Sequence, residues 1–245
     1  MAYIGKTPTP VPLTSSDIAS DIINNTHIGD TAISGFDALA TAPADTDEFL
    51  ISDAGVLKRL DASLIGGGGY EKLLETNITS STASVSLDGY FTSTYDIYRV
   101  YFFNVVPVDD NVAFRSRFLQ GGSVISASNY KYLVNGSYSS SSSVTTDQQS
   151  GSGASYGVLS RHGIDNQNVS AGENGYYDIF NPLSTDHQKY ANGQTWDSLN
   201  DNAYIASHNN TMKYEGDTNA ISGINFFFGS GNIATGTFVL YGLKK

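Results

Sequence analysis

The sequence predicts a mainly β protein: a short N-terminal stem with a β-hairpin, followed by a C-terminal antiparallel β-sandwich of jelly-roll type. Three observations predict it. A run of four glycines, Gly66 to Gly69, divides the 245-residue chain into unlike pieces. Residues 1–65 hold Tyr3, Phe36 and Phe49 as their only aromatics, and every other Tyr and Phe, with the single Trp, lies from Tyr70 onward. That second piece carries short alternating or wholly apolar runs separated by Gly, Asn and Ser, the mark of strands and turns. It offers no crossover helices, so a parallel α/β fold is excluded. The expected boundaries are 1–65 for an N-terminal arm and attachment or trimerisation stem, 66–69 for a glycine joint and 70–245 for the sandwich.

The arm comes first. In Thr7-Pro8-Thr9-Pro10-Val11-Pro12 the alternate prolines exclude helix and favour an extended course suited to docking on another surface. Thr14-Ser15-Ser16-Asp17 reads as a helix start, with Ile18, Ile22 and Ile23 at one-turn spacing and Asn24-Asn25 as its stop. So short a helix is marginal alone. Ile28, Ile33 and Leu39 fit neither the helical nor the strand period and suit an intertwined trimeric stem. Glu48 to Ser52 and Val56 to Leu60 flank Asp53-Ala54-Gly55, a β-hairpin with a three-residue loop and Gly55 in the left-handed position.

In the body, Ile97 to Val106 is nearly all apolar or aromatic and reads as a central strand buried on both faces. Pro107 ends it, and Val108 to Asn111 makes the turn. Val112 to Gln120 places Val112, Phe114 and Phe118 on one side and Arg115 and Arg117 on the other. Tyr130 to Val134, Gly175 to Asn181, Gln188 to Trp196, Ala203 to Lys213 and Ala220 to Phe228 are further strands. Thr235 to Leu243 sets Thr235, Thr237, Val239 and Tyr241 against Phe238 and Leu240. Such strands and turns indicate a sandwich or jelly roll. Ser137 to Ser155, with its unbroken serines Ser139 to Ser143, reads as a long polar loop.

The formal net charge is −11, with nine acids and three bases in residues 1–65 and fifteen and ten beyond. The basic pairs are Lys58-Arg59 and Lys244-Lys245, so neither nucleic acid nor an anionic membrane is an expected partner. There is no cysteine, which removes disulfides, thiolate metal ligands and cysteine nucleophiles. The start lacks the layout of a signal peptide, and no apolar run reaches about 18 residues, so a soluble protein without membrane insertion is expected.

No residue set carries obvious catalytic chemistry, and no catalytic residue, metal site or cofactor is expected. His27, His162, His187 and His208 lack metal-ligand spacing and read as surface residues. Gly121-Gly122-Ser123 and Gly151-Ser152-Gly153 do not match a nucleophile elbow, and the glycine run lacks the Lys and Ser/Thr of a phosphate loop. Asp109-Asp110 reads as a turn rather than as a carboxylate pair for glycoside cleavage. The aromatics are more informative. Tyr130, Tyr132, Tyr138, Tyr176, Tyr190 and Trp196 alternate with Asn, Gln and Asp. Sugar-binding surfaces combine flat aromatic faces with amide and carboxylate groups, while core packing is the competing explanation. Tyr130, Tyr132, Tyr138, Tyr190 and Trp196 are therefore the candidate ligand-binding residues.

Three segments carry a family resemblance. They are the start Met1-Ala2-Tyr3-Ile4-Gly5-Lys6-Thr7-Pro8, the stretch Ala42-Pro43-Ala44-Asp45-Thr46-Asp47-Glu48-Phe49-Leu50-Ile51-Ser52-Asp53 with Leu57-Lys58-Arg59-Leu60, and the ending from Gly231-Asn232-Ile233 to Leu243-Lys244-Lys245. Together they resemble tail-fibre and head-fibre virion proteins of tailed, marine podovirus-like phages. The resemblance covers both ends and the stem, and the rest of the body only loosely. It implies a virion structural protein, made in the host cytoplasm, that forms a homotrimer and meets other tail or capsid proteins through its N-terminus. Tyr3, Ile4, Pro8, Pro10 and Pro12 are the candidate attachment residues, and the sandwich would face a host-surface glycan or protein. A head fibre or capsid decoration protein without a receptor role is an alternative. A glycan-degrading tailspike is another, against which the lack of a β-helix repeat weighs.

Overall fold

Both parts of the chain form strands where side chains alternate. The computed structural model describes residues 14, 43–44, 46–65, 69–140, 142–161, 163–166, 172–199 and 204–244. The expected arm with Tyr3, Ile4, Pro8, Pro10 and Pro12, and the expected helix with Ile18, Ile22 and Ile23, lie outside the described residues. The chain divides into two compact units, Met1–Gly66 and Gly67–Lys245.

In the first unit, β1 (Glu48–Asp53) and β2 (Val56–Asp61) pair antiparallel, with Asp53 opposite Val56. The connection is therefore two residues, Ala54 and Gly55, rather than the three expected. Both have positive φ, 51° and 84°, because only that backbone twist closes a two-residue hairpin between right-twisted strands. Ala54 holds a conformation that a Cβ disfavours, which is why its neighbour alone was expected to turn the chain.

The second unit is two antiparallel sheets, with strands numbered in chain order. The larger has eight strands in the order β3 (Tyr70–Ile78), β15 (Ile233–Lys244), β5 (Tyr95–Pro107), β11 (Glu173–Phe180), β12 (Lys189–Leu199), β13 (Tyr204–Tyr214), β8 (Tyr130–Ser140), β9 (Ser143–Ala154). The smaller has five: β10 (Gly157–Val158), β6 (Phe114–Gln120), β14 (Gly223–Phe228) and β4 (Val85–Asp88) in a row, with β7 (Ser123–Val124) beside β6. The antiparallel sandwich expected from the alternation is thus present. The expected serine loop is not a loop: β8 and β9 form a long hairpin through it, paired from Tyr130 with Ala154 to Ser140 with Ser143. Serine is short and tolerates the pleat when neighbouring ladders supply the hydrogen bonds, so polarity alone does not mark a loop. Strands β3, β4, β7 and β10 carry too little apolar signal to have been read.

The two sheets meet on aromatic rings. Phe102 of β5 and Phe238 of β15 pack against Phe114 of β6 and Phe226 of β14, with Phe226 centroids 5.4 to 5.9 Å from the other three. Tyr98, Val100, Tyr177, Ile179, Met212 and Leu240 complete the inner face of the large sheet. The other face of β5 is not buried as expected. Arg99 and Tyr101 are half-covered and Phe103 is exposed. At Asn104 the backbone turns to φ 49° and the register shifts, so burial passes from Phe102 to Val105. This bulge keeps an apolar residue inward where strict alternation would turn Asn104 in.

Phe226→Ala removes a ring from the centre of this contact and is expected to lower unfolding free energy by about 3–5 kcal/mol. Phe103→Ala, on the exposed face, is expected to change it by under about 1 kcal/mol. Urea unfolding of the two variants checks the contrast.

Candidate functional site

Residues directly opposite in an antiparallel ladder share a face, so the register maps the solvent side of the large sheet. One row runs Tyr101, Tyr176, Gln194, Asn209, Asn135, Gln148 across β5, β11, β12, β13, β8 and β9. The next runs Asn174, Trp196, Ser207, Ser137, Thr146. Beyond it Ser198 faces Ile205 and Ser139 faces Val144, and the Ile205 N–H donates to Ser139 Oγ at 3.0 Å. These rows bound a groove of about 430 Å³ around Trp196, with Asn174, Ser137, Ser139, Ser198, Ser207, Ile205 and Val144 in its lining. The indole is 46% exposed.

Toward β3 the same face is aromatic and tightly held. The Arg99 guanidinium donates to both Asp178 carboxylate oxygens at 2.6 Å. It lies 4.5 Å from the Tyr176 ring centroid and 5.0 Å from that of Tyr70. Bidentate pairing and ring contact on both sides fix this side chain.

Of the expected ligand-binding residues, Trp196 and Tyr138 line the groove together and the other three lie apart from it. Tyr190 is exposed on the same face, with Lys213 Nζ 5.6 Å from its ring, but six residues along one strand place it about 20 Å from Trp196. Tyr138 also lines the groove, from the opposite side of β8 to Ser137 and Ser139, its ring 6.4 Å from Tyr204. Tyr132 stacks on Tyr156 at 6.4 Å. Tyr130 is a core residue, not a surface one. It is fully buried, its hydroxyl donating to the Ile125 carbonyl and accepting the Phe118 N–H, both at 3.1 Å. A tyrosine can be buried where its hydroxyl is satisfied, and alternation with polar residues cannot show which side of the strand is wet. The groove serines were missed because their strands are far apart in sequence.

The inner face carries a polar layer that the sequence reading also missed. His208, expected at the surface, is fully buried. Its Nε2 lies 2.9 Å from Asp147 Oδ2, reaching over Gly136, which pairs with both residues. A Cβ at Gly136 would stand 2.6 Å from the His208 ring and 2.2 Å from the Ser207 carbonyl, so glycine makes this contact possible. The other Asp147 oxygen takes Arg161 Nη1. Nearby, Glu173 and Asp197 flank the Asn174–Trp196 pair on the inner side. Both are buried, and their carboxylates make no hydrogen bond among the described residues. Burial pushes the Glu173 carboxyl up to about 7, against the weaker opposing pull of the Thr195 and Ser160 hydroxyls. Those hydroxyls stand close without reaching hydrogen-bond geometry, since Thr195 donates to the Leu159 carbonyl at 3.2 Å. Asp197 is raised further, first by burial and then by the charges of Glu173, Asp165 and Asp147. Asn210 Nδ2 also donates to the Leu159 carbonyl, at 3.0 Å, which ties the covering segment to the layer. Among the described residues no His, Asp or Glu group has the arrangement of a metal site, and no helix is long and apolar enough to cross a membrane.

The buried acids set a pH dependence. Below the ordinary value of 4.5 the folded and unfolded chains both hold the Glu173 proton. As pH rises past it, the unfolded chain ionises while the folded one keeps its proton, so stability falls until pH passes the folded value. For Glu173 the loss by pH 8 is on the order of 3 kcal/mol. Glu173→Gln and Asp197→Asn are each expected to raise the unfolding midpoint at pH 8 and to flatten its decline between pH 5 and pH 8. Thermal melts across that range check the sign.

Comparison with family models, with curated proteins and with solved structures finds no match for this chain.

Proposed function

We propose that this chain is a structural protein of a phage virion, a homotrimeric tail fibre or spike. Residues 1–65 join it to other virion proteins, and the sandwich of residues 70–245 is displayed to bind the host surface. The observation that carries the reading is the solvent face of the eight-stranded sheet. Trp196, Tyr190 and Phe103 remain exposed there, on a sandwich that already has a closed aromatic core between its sheets. Exposed aromatics on one rigid face mark an interaction surface rather than a folding need. The resemblance of the N-terminal, stem and C-terminal segments to phage fibre proteins supplies the setting. The acidic charge agrees with a partner other than nucleic acid.

Two measurements test it. Multi-angle light scattering on the full-length chain is expected to return three times the chain mass, and a stable monomer overturns the trimeric fibre. Gold-labelled antibody against the sandwich is expected to decorate the tail of intact particles. Decoration of the capsid alone replaces the tail fibre by a head fibre or decoration protein.

A further inference from the structure

We infer that the groove around Trp196 is a binding site for a neutral glycan, with the apolar face of a sugar ring laid on the indole. The inference rests on the reading of the sandwich as a displayed binding module and specifies what it binds.

The platform is rigid. Trp196 lies within β12, paired on one side with Asn174 of β11 and on the other with Ser207 of β13. It does not depend on a loop for its position, and a site on strands is held more closely than one on loops. Its indole is nearly half exposed although the strands around it are fully laddered. Stacking on such a face needs no charge on the partner.

Polar partners surround it. Ser207, Ser137 and Ser198 present hydroxyls, each able to donate and accept, as the hydroxyls of a sugar require. Asn174 is already oriented: its Oδ1 accepts the Asn104 N–H at 3.0 Å and its Nδ2 donates to the Gly172 carbonyl at 3.1 Å. One N–H and one lone pair remain for a ligand. Ile205 and Val144, 69% and 77% exposed, form an apolar wall suited to the methyl of an acetamido or deoxy sugar.

Charge settles the class. No Lys, Arg or His stands in the lining among the described residues, its one acid being the buried Asp197, and the chain carries a net charge of −11. An acidic glycan would meet no cation here and would be repelled by the whole molecule. The groove's volume of about 430 Å³ falls in the usual range of small-ligand sites, roughly 300–1,000 Å³.

The surface also continues. Gln194, Asn209, Asn135 and Gln148 form a row beside the groove, spanning about 14 Å at the ordinary strand spacing. A second hollow of about 370 Å³ lies at its far end, lined by Leu133, Asn135, Gln148 and Ser150. A glycan chain lying across the strands would place one residue on Trp196 and later ones over the amides.

Trp196 is the only tryptophan among 16 tyrosines, so emission of the full-length chain excited beyond the tyrosine absorption band reports on this groove. Titration with neutral oligosaccharides containing N-acetylglucosamine or rhamnose is expected to give a saturable emission change and protection from acrylamide quenching. Sialylated and sulfated counterparts are expected to give neither. On a glycan array, Trp196→Ala is expected to lose binding about tenfold or more and Trp196→Phe to retain most of it. Ile205→Lys, at an exposed wall position, is expected to abolish binding with unchanged unfolding. Absence of any saturable response to neutral glycans, a response to acidic glycans only, or unaltered array binding by Trp196→Ala and Ile205→Lys overturns the site. Virion labelling separates this from the parent reading. A chain found on particles but silent to glycans loses the site and keeps the placement, and a glycan-binding chain absent from particles does the reverse.

Discussion

The ring contact between the two sheets is the constraint on which the second unit depends. Phe102 and Phe238 come from the large sheet, Phe114 and Phe226 from the small one, and no pair among them is local in sequence. Side chains in a strand alternate, so burying these four decides which residue of every paired strand faces water. With Tyr177 inward, Tyr176 and Asp178 face out. With Ala191 inward, register alone carries Trp196 to the solvent side. A slip of one residue would bury the indole and expose Asp197. The interior contact and the exterior groove are thus two consequences of one register.

The inner face is not apolar throughout. Where residues 157–161 cover the large sheet, Asp147, Glu173, Asp197 and His208 replace the phenylalanines. Burying carboxylates without hydrogen bonds costs stability unless the proton stays on, which is the direction both Glu173 and Asp197 take. The layer is held instead by the Asp147 links to His208 and Arg161 and by the Leu159 carbonyl, which receives both Thr195 and Asn210. These contacts lie directly behind Asn174, Trp196 and Ser207 in the same strands. The groove therefore rests on backbone whose other side is fixed by directional polar bonds rather than by interchangeable apolar contacts, and that suits a surface that must keep its shape while empty.

Legibility followed the strength of each local signal. The strands around Tyr98 to Val106, Phe114 to Phe118 and Phe238 to Leu240 were readable because aromatic alternation is unambiguous. The bulge at Asn104 was not, since a left-handed asparagine looks like any polar residue in a strand. The run Ser139 to Ser143 was misread because composition says nothing of the ladder a neighbouring strand supplies. At the site, Trp196 could be singled out as a large aromatic among polar residues. Tyr130 could not be told from it, because both alternate with polar neighbours and only the sheet opposite decides which is covered. Ser137, Ser207 and Asn174 become neighbours of the indole through pairings between strands β8, β13, β12 and β11, and no single-strand pattern holds that information.

The distribution of charge completes the argument. An eight-stranded sheet has two edges, and an unpaired edge invites a stray strand. The β3 edge carries Glu71, Lys72 and Glu75, with Lys244 of the neighbouring strand 3.3 Å from Glu71. The same strand opens at Tyr70, directly after the glycine run, and Tyr70 is caught at once by Tyr241, 6.4 Å away edge-on, and by Arg99. Charge guards the edge that begins there. Farther across the sheet, Arg99 pairs with Asp178, and Lys131 and Lys213 share Glu215. The groove around Trp196 has no Lys, Arg or His in its lining among the described residues. With charge placed along the β3 edge, the strands beyond it present aromatic rings, hydroxyls and amides to water.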